Sequence, residues 1–237
     1  IEAKPHSRPY MASLQYQEHH SCGGMLIRED FVLTAAHCKF ENRGPSTVVL
    51  GAHDISKKEK SQQRIKVAKY YPHPKFSGKY DYDIMLLKLE KNATLNKFVK
   101  TIKLPKKNGK TPANVKCHVV GWGRTGNDLR PSNVLKEATE KTQFSSEWEK
   151  IWGSTFNFHH MICTNLCVAY LFLYLSIYRS VFYFLPQGVT AFIMKDNCNN
   201  PKYPHVFTKV NFFIAWMKEK MKEERFVARV TTQSFTG

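Results

Sequence analysis

The N-terminal half of the chain is a succession of short runs rich in β-branched and aromatic residues, each cut off by a stretch containing Gly, Pro or Asn. The runs fall at 10–16, 24–27, 31–35, 47–50, 64–70 and 84–89. Runs of this length, with turn signals between them, predict strands of an all-β barrel or sandwich. Another strand is expected at 117–121, after a basic stretch over 106–114 that reads as the connection between two lobes. A hydrophobic fraction of 42% in 237 residues supplies enough apolar surface for a substantial core and excludes a disordered chain.

Two later segments depart from this pattern. Near the end, Phe213, Trp216, Met217, Lys220 and Met221 recur at intervals of three and four, which predicts an amphipathic terminal helix, with 223–237 expected as a loose tail. Residues 166–185 are almost continuously apolar but carry Arg179. An Arg near the centre of a membrane helix costs about 2.5 to 3.5 kcal/mol, and the uninterrupted part, 166–178, is shorter than the ~20 residues a span requires. A buried or misfolded segment is expected there, and a membrane is not an expected partner.

The formal charge of +17 implies attraction to polyanions. No RNA- or DNA-binding signature accompanies it, so sulfated proteoglycan is the expected partner and specific nucleic acid is not. The cysteines are Cys22, Cys38, Cys117, Cys163, Cys167 and Cys198; their even number suits a disulfide framework in an oxidising compartment without giving the connectivity. A start at Ile1 fits a processed or truncated product.

Chemistry concentrates at two places. Cys22 and Cys38 bracket a hairpin that a disulfide would close, holding His37 at a rigid corner. Asp83 heads the apolar run Ile84-Met85-Leu86-Leu87, where an entering carboxylate needs a partner. A histidine donating its ring N–H would supply one and keep its other nitrogen free to act as base. The bland alternative is a turn or capping aspartate, a role that would also suit Asp81.

Together the segments EAKPHSRPYMASLQ, CGGMLI, FVLTAAHC, LGAHDI, YDIMLLKL, VVGWG, MICTN and YPHVFTKVNFFIAWMKEKM resemble, in this order, the chymotrypsin-like serine proteases, and within them the granzyme and mast-cell protease group. The resemblance spans about 1–163 and 188–222. It implies a single peptidase-like domain over 1–222, built as two six-stranded antiparallel β-barrels (about 1–105 and 115–222) with a C-terminal helix. It further implies His37 as general base, Asp83 as its orienting carboxylate, a disulfide between Cys22 and Cys38, peptide or protein substrates, a secreted or granule location, and neither cofactor nor metal. Ala191, Phe192 and Ile193 fall on the wall of the primary substrate pocket, with Ala191 where the family usually has serine and Ile193 where it usually has glycine.

One block does not match. The family nucleophile lies in a Gly-Asp-Ser-Gly-Gly-Pro segment soon after the cysteine matched by Cys163, and no such segment occurs here; the apolar stretch 164–187 stands in its place. Ser176 and Ser180 lie there without flanking glycines, and from Ser154 onward the only glycines are Gly188 and Gly237. The family's N-terminal Ile-Ile-Gly-Gly or Ile-Val-Gly-Gly is replaced by Ile1-Glu2-Ala3-Lys4, so its buried amine–carboxylate pair is not expected. The cysteine partner the resemblance implies for Cys117 follows the missing segment, which leaves Cys117 single unless Cys167 or Cys198 substitutes. Three functions follow: a family member that has lost activity, including a chain in which one coding block was exchanged; a stable pseudoprotease binding sulfated glycans or anionic surfaces; and a working endopeptidase with another nucleophile.

Overall fold

The computed structural model describes residues 1–39, 45–106, 113–123, 131–143, 148–164, 174–180, 183–192 and 205–233, with backbone alone at 149, 174–180, 183, 184, 192 and 227–233. Six strands, β1 (Met11–Tyr16), β2 (His19–Arg28), β3 (Phe31–Thr34), β4 (Thr47–Leu50), β5 (Gln63–Pro72) and β6 (Met85–Leu89), close a barrel in the order β1-β2-β3-β6-β5-β4. Every pairing is antiparallel, and β1 seals the barrel on β4 with Leu14 opposite Val48. Period-two alternation is plain in β5, where Ile65 and Val67 are buried between exposed Arg64 and Lys66.

The β1–β2 hairpin turns on Gln17 and Glu18, whose φ values of 46° and 65° are both left-handed. This is the backbone sense that matches strand twist in two-residue hairpins. Gly51 has φ +71°, and a Cβ there would stand 2.3 Å from the carbonyl oxygen of Ser61, so glycine is required on both counts.

The second lobe is a six-stranded sheet in the order β8-β7-β10-β11-β12-β9, formed by β7 (Lys116–Gly121), β8 (Lys136–Lys141), β9 (Met161–Thr164), β10 (Tyr174–Ser180), β11 (Tyr183–Phe192) and β12 (His205–Lys209). Among the described residues its edges meet at one bridge, Thr142 opposite Thr164, beside a hydrogen bond from Gln143 N–H to the Cys163 carbonyl at 3.0 Å. Thus the first expected barrel is closed by strand pairing, whereas the second, among the described residues, curls round to that bridge. The described part of the apolar stretch is strand: β10 lies between β7 and β11, with Ile177 opposite both Cys117 and Leu185. Backbone groups satisfied on both sides suit a run rich in Tyr and Phe. Among the described residues no helix is long and apolar enough to cross a membrane.

Helix α1 (Trp148–Trp152) is short, and α2 (Ile214–Gln233) ends the described chain. The loose tail expected over 223–237 is corrected, because α2 runs on to Gln233. The segment opens with the helix-forming residues Glu223, Glu224 and Arg225, Lys220 pairs with Glu223 at 2.9 Å, and Glu224 is anchored to Lys69 at 3.0 Å and to the Tyr71 hydroxyl. Val210, Phe213, Ile214 and Met217 are buried in the same cluster as the first barrel, joined by Val120, Trp122, Leu135 and Val189 of the second lobe. The two lobes therefore share a core. Most of the basic connection expected over 106–114 lies outside the described residues.

Candidate active site

His37 lies in a single helical turn, Ala36–Cys38, immediately after β3. The turn is fastened by the Cys22–Cys38 disulfide, which spans a sequence separation of 16 with Cα atoms 6.1 Å apart. A closure of this size contributes about 3 kcal/mol in the chain-entropy account. The sulfurs of Cys22 and Cys38 lie close to a His37 ring nitrogen, but they are bonded to each other, so the trio offers a metal only one donor.

Asp83 precedes β6 and is 1% exposed. Tyr82 before it has φ +55°, and this turn aims the Asp83 carboxylate at the His37 corner. One oxygen, Oδ1, accepts the His37 backbone N–H at 2.9 Å, while Oδ2 lies 2.6 Å from the ring Nδ1. An ionised carboxylate only accepts, so Nδ1 carries the proton and Nε2 presents the lone pair. The side chain of His37 is 35% exposed. This is the geometry of an oriented general base.

A third partner comes from the second lobe. The Thr208 hydroxyl, on β12, donates to the Asp83 carbonyl at 3.0 Å. Sequence reasoning missed Thr208, since nothing local to β12 signals a contact with residue 83. It also missed His160, whose Nδ1 sits 2.7 Å from Asp81 Oδ1. Asp81 does serve its turn, accepting the Tyr82 N–H at 2.9 Å, so Asp81 and Asp83 each hold a different histidine.

Ala191 is buried on β11 among Trp148, Phe156, Met161, Cys163 and Val206, and Phe192 ends the strand opposite Val206. Ile193 lies outside the described residues. Ser176 falls in the central strand β10, opposite His118 and Pro186, and Ser180 opposite Tyr183. Cys117 and Cys163 are both free and buried. Burial, with Glu140 nearby, pushes the Cys117 thiol up to about 12, and burial raises Cys163 as well, so neither is a ready nucleophile. Cys167 and Cys198 lie outside the described residues. Ile1 is 88% exposed, and its nitrogen donates to the Glu137 carbonyl at 2.9 Å.

Asp83→Ala removes the acceptor of two His37 donors from a buried position. The expected cost is about 3 kcal/mol, read as a lower denaturant midpoint with an unchanged slope. An unchanged midpoint would mean that the pair does not hold the corner.

With this geometry in hand, the comparisons with known proteins agree with one another. Residues 1–168 match the Trypsin family. Granzyme B of Rattus norvegicus is 40% identical over 233 residues, covering 94% of this chain and 90% of the relative. Mast cell protease 2 of Ovis aries is 38% identical over 228 residues, covering 94% and 89%. The solved structure of GrC superposes with a TM-score of 0.81 at 35% identity, over 93% of this chain and 97% of that one. Neuropsin, a serine protease expressed in the limbic system of mouse brain, gives 0.80 at 29% identity over the same shares. The oriented His37–Asp83 pair, the closed first barrel and these relatives lead to one conclusion: the chain belongs to the trypsin family of chymotrypsin-like serine proteases, with granzymes and mast cell proteases among its homologues.

Proposed function

We propose that this chain is a granzyme-like family member that keeps the histidine and aspartate of the hydrolytic site but lacks the serine nucleophile, and so does not hydrolyse peptide bonds. The observation that carries this reading is the sequence between Cys163 and Gly188, which contains no glycine and no Gly-Asp-Ser-Gly-Gly-Pro segment. Covalent catalysis needs a nucleophile beside the base, together with backbone N–H donors that meet the oxyanion, each worth about 2.7 to 4 kcal/mol. Ala191 in place of the usual serine fits a chain released from the constraints of catalysis.

The remaining function is binding. With a formal charge of +17, the protein is read as a secreted or granule-stored pseudoprotease that holds sulfated proteoglycan. If the site were active, its substrates would be peptides or proteins, with Ala191, Phe192 and Ile193 as the pocket wall.

The test is labelling by a fluorophosphonate probe. The expected result is no labelling of the native chain. A second chain, with 164–187 replaced by a family-like segment carrying Gly-Asp-Ser-Gly-Gly-Pro, should label, and His37→Ala should abolish that labelling. Labelling of the native chain that is lost on His37→Ala would overturn the proposal and establish a different nucleophile.

A further inference from the structure

We infer that His160 is a positioning residue for the His37–Asp83 pair: through its hydrogen bond to Asp81, the second lobe holds the turn that aims the Asp83 carboxylate at the His37 corner. That role belongs to the pair alone and does not depend on a nucleophile beside it.

The turn needs holding. Tyr82 stands at φ +55°, a region that a residue with a side chain enters only at a cost. On its far side, Ile84 N–H donates to the Tyr82 carbonyl at 2.8 Å, so the backbone doubles back tightly across Asp83. A conformation of this kind persists only where its surroundings over-determine it. Within the turn itself, Asp81 Oδ1 accepts the Tyr82 N–H at 2.9 Å, but the Asp81 side chain is 39% exposed, and water competes for that bond.

The second lobe supplies the hold at two points. His160, immediately before β9, donates its Nδ1–H to the same Asp81 oxygen at 2.7 Å, since a carboxylate only accepts. Thr208, on β12, donates to the Asp83 carbonyl at 3.0 Å. These two residues come from paired strands: Thr208 lies opposite Met161, and Lys209 N–H donates to the His160 carbonyl at 2.6 Å. One corner of the second sheet therefore grips the turn on both sides of Tyr82. Between the grips, the Tyr82 ring stacks on His73 with centroids 4.9 Å apart and packs on His160 at 4.6 Å. Phe213 meets it edge-on at 5.9 Å, and Lys75 Nζ lies 5.4 Å from its centroid.

His160 is built to hold rather than to follow. Its side chain is 9% exposed, so its bond to Asp81 is shielded and counts for more than a surface ion pair. Its own backbone is fixed, because the N–H groups of His160 and Met161 both donate to the Asn157 carbonyl, at 3.1 and 2.8 Å. The Phe212 ring, 4.6 Å away, closes on the imidazole. A side chain locked in this way transmits position to its partner. The disulfide thus fixes the histidine of the pair from within the first barrel, while the other lobe fixes the aspartate.

The experiment measures hydrogen exchange in the full chain by NMR. The reporters are the His37 backbone N–H, which donates to Asp83 Oδ1, and the His37 Nδ1–H, which faces Oδ2. The reference is the Leu26 N–H, which donates to the Tyr10 carbonyl in the first barrel. In His160→Ala both His37 protons are expected to exchange at least about tenfold faster, with Leu26 changed by less than about threefold. His160→Asn keeps a donor close to the Nδ1 position and should restore most of the protection; His160→Phe keeps a ring against Tyr82 without a donor and should not. Asp81→Ala breaks the same link from its exposed side and should reproduce the His160→Ala pattern, which decides the matter if a His160 variant fails to fold. Unchanged exchange at His37 in folded His160→Ala or in Asp81→Ala would overturn the proposal. Equal acceleration at His37 and Leu26 would also overturn it, making His160 a general stabiliser. Protection restored by His160→Phe but not by His160→Asn would assign the effect to ring packing and remove the hydrogen bond as its cause.

Discussion

Lowering the pH from about 6.5 to about 4 should strip this protein of several kcal/mol of stability before its carboxylates begin to titrate in earnest. Burial lowers the pKa of His20 from 6.5 to about 4 and does the same to His205. His20 is placed with Nδ1 2.8 Å from the Ser13 hydroxyl and its ring edge-on to Trp122, and His205 is 2% exposed at the start of β12. Above pH 6.5 both rings are neutral, folded or unfolded. Between 6.5 and 4 the unfolded chain takes up two protons that the folded chain refuses, so stability falls with pH. Each proton contributes about 1.4 kcal/mol per pH unit. Burial shifts His73 and His118 in the same direction. Urea titrations at several pH values should show the stability falling steeply across this window, and His20→Leu with His205→Leu should flatten it. A midpoint independent of pH from 7 to 4 would contradict the burial of both rings.

Trp122→Ala should be among the most damaging single truncations, with an expected loss of about 4 kcal/mol. Trp122 is wholly buried, and it carries the second lobe into the core of the first barrel. Its Nε1–H donates to the His53 carbonyl at 2.9 Å, an oxygen that also accepts from Leu135 N–H at 3.0 Å. That carbonyl keeps one partner after truncation, so the loss is mainly cavity and packing. Thermal unfolding should remain a single transition at a lower temperature. Two separated transitions would show that the lobes fold independently and that the shared core is weak.

Several features were legible in the sequence because they are local. The six strands of the first barrel stand where the apolar runs placed them, and LTAAHC with DIMLL brought His37 and Asp83 forward as a pair. Other features were hidden for physical reasons. The early start of β2 at His19 depends on left-handed Gln17 and Glu18, which lack the Asn-Gly composition that usually announces such a turn. Strand β8, with Lys136, Glu137, Glu140 and Lys141, has too little apolar content to read as a strand, and it is held by its neighbour β7. The link from Thr208 to Asp83 spans a sequence separation of 125, and that from His160 to Asp81 spans 79; neither leaves a trace in local composition. The described part of the apolar stretch, β10, serves as a central strand, a use that its composition does not announce because it depends on β7 and β11 standing on either side.

The burial of Phe213, Ile214 and Met217 in the first barrel also bears on how the chain is made. During synthesis the six strands that close this barrel emerge long before the residues that cover its base. Until α2 has left the ribosome, the barrel carries an open apolar face with more than half of the chain still to come. Residues 164–187, which lie between the two, are therefore translated while that face is uncovered, and this interval is when a chaperone would have most to hold.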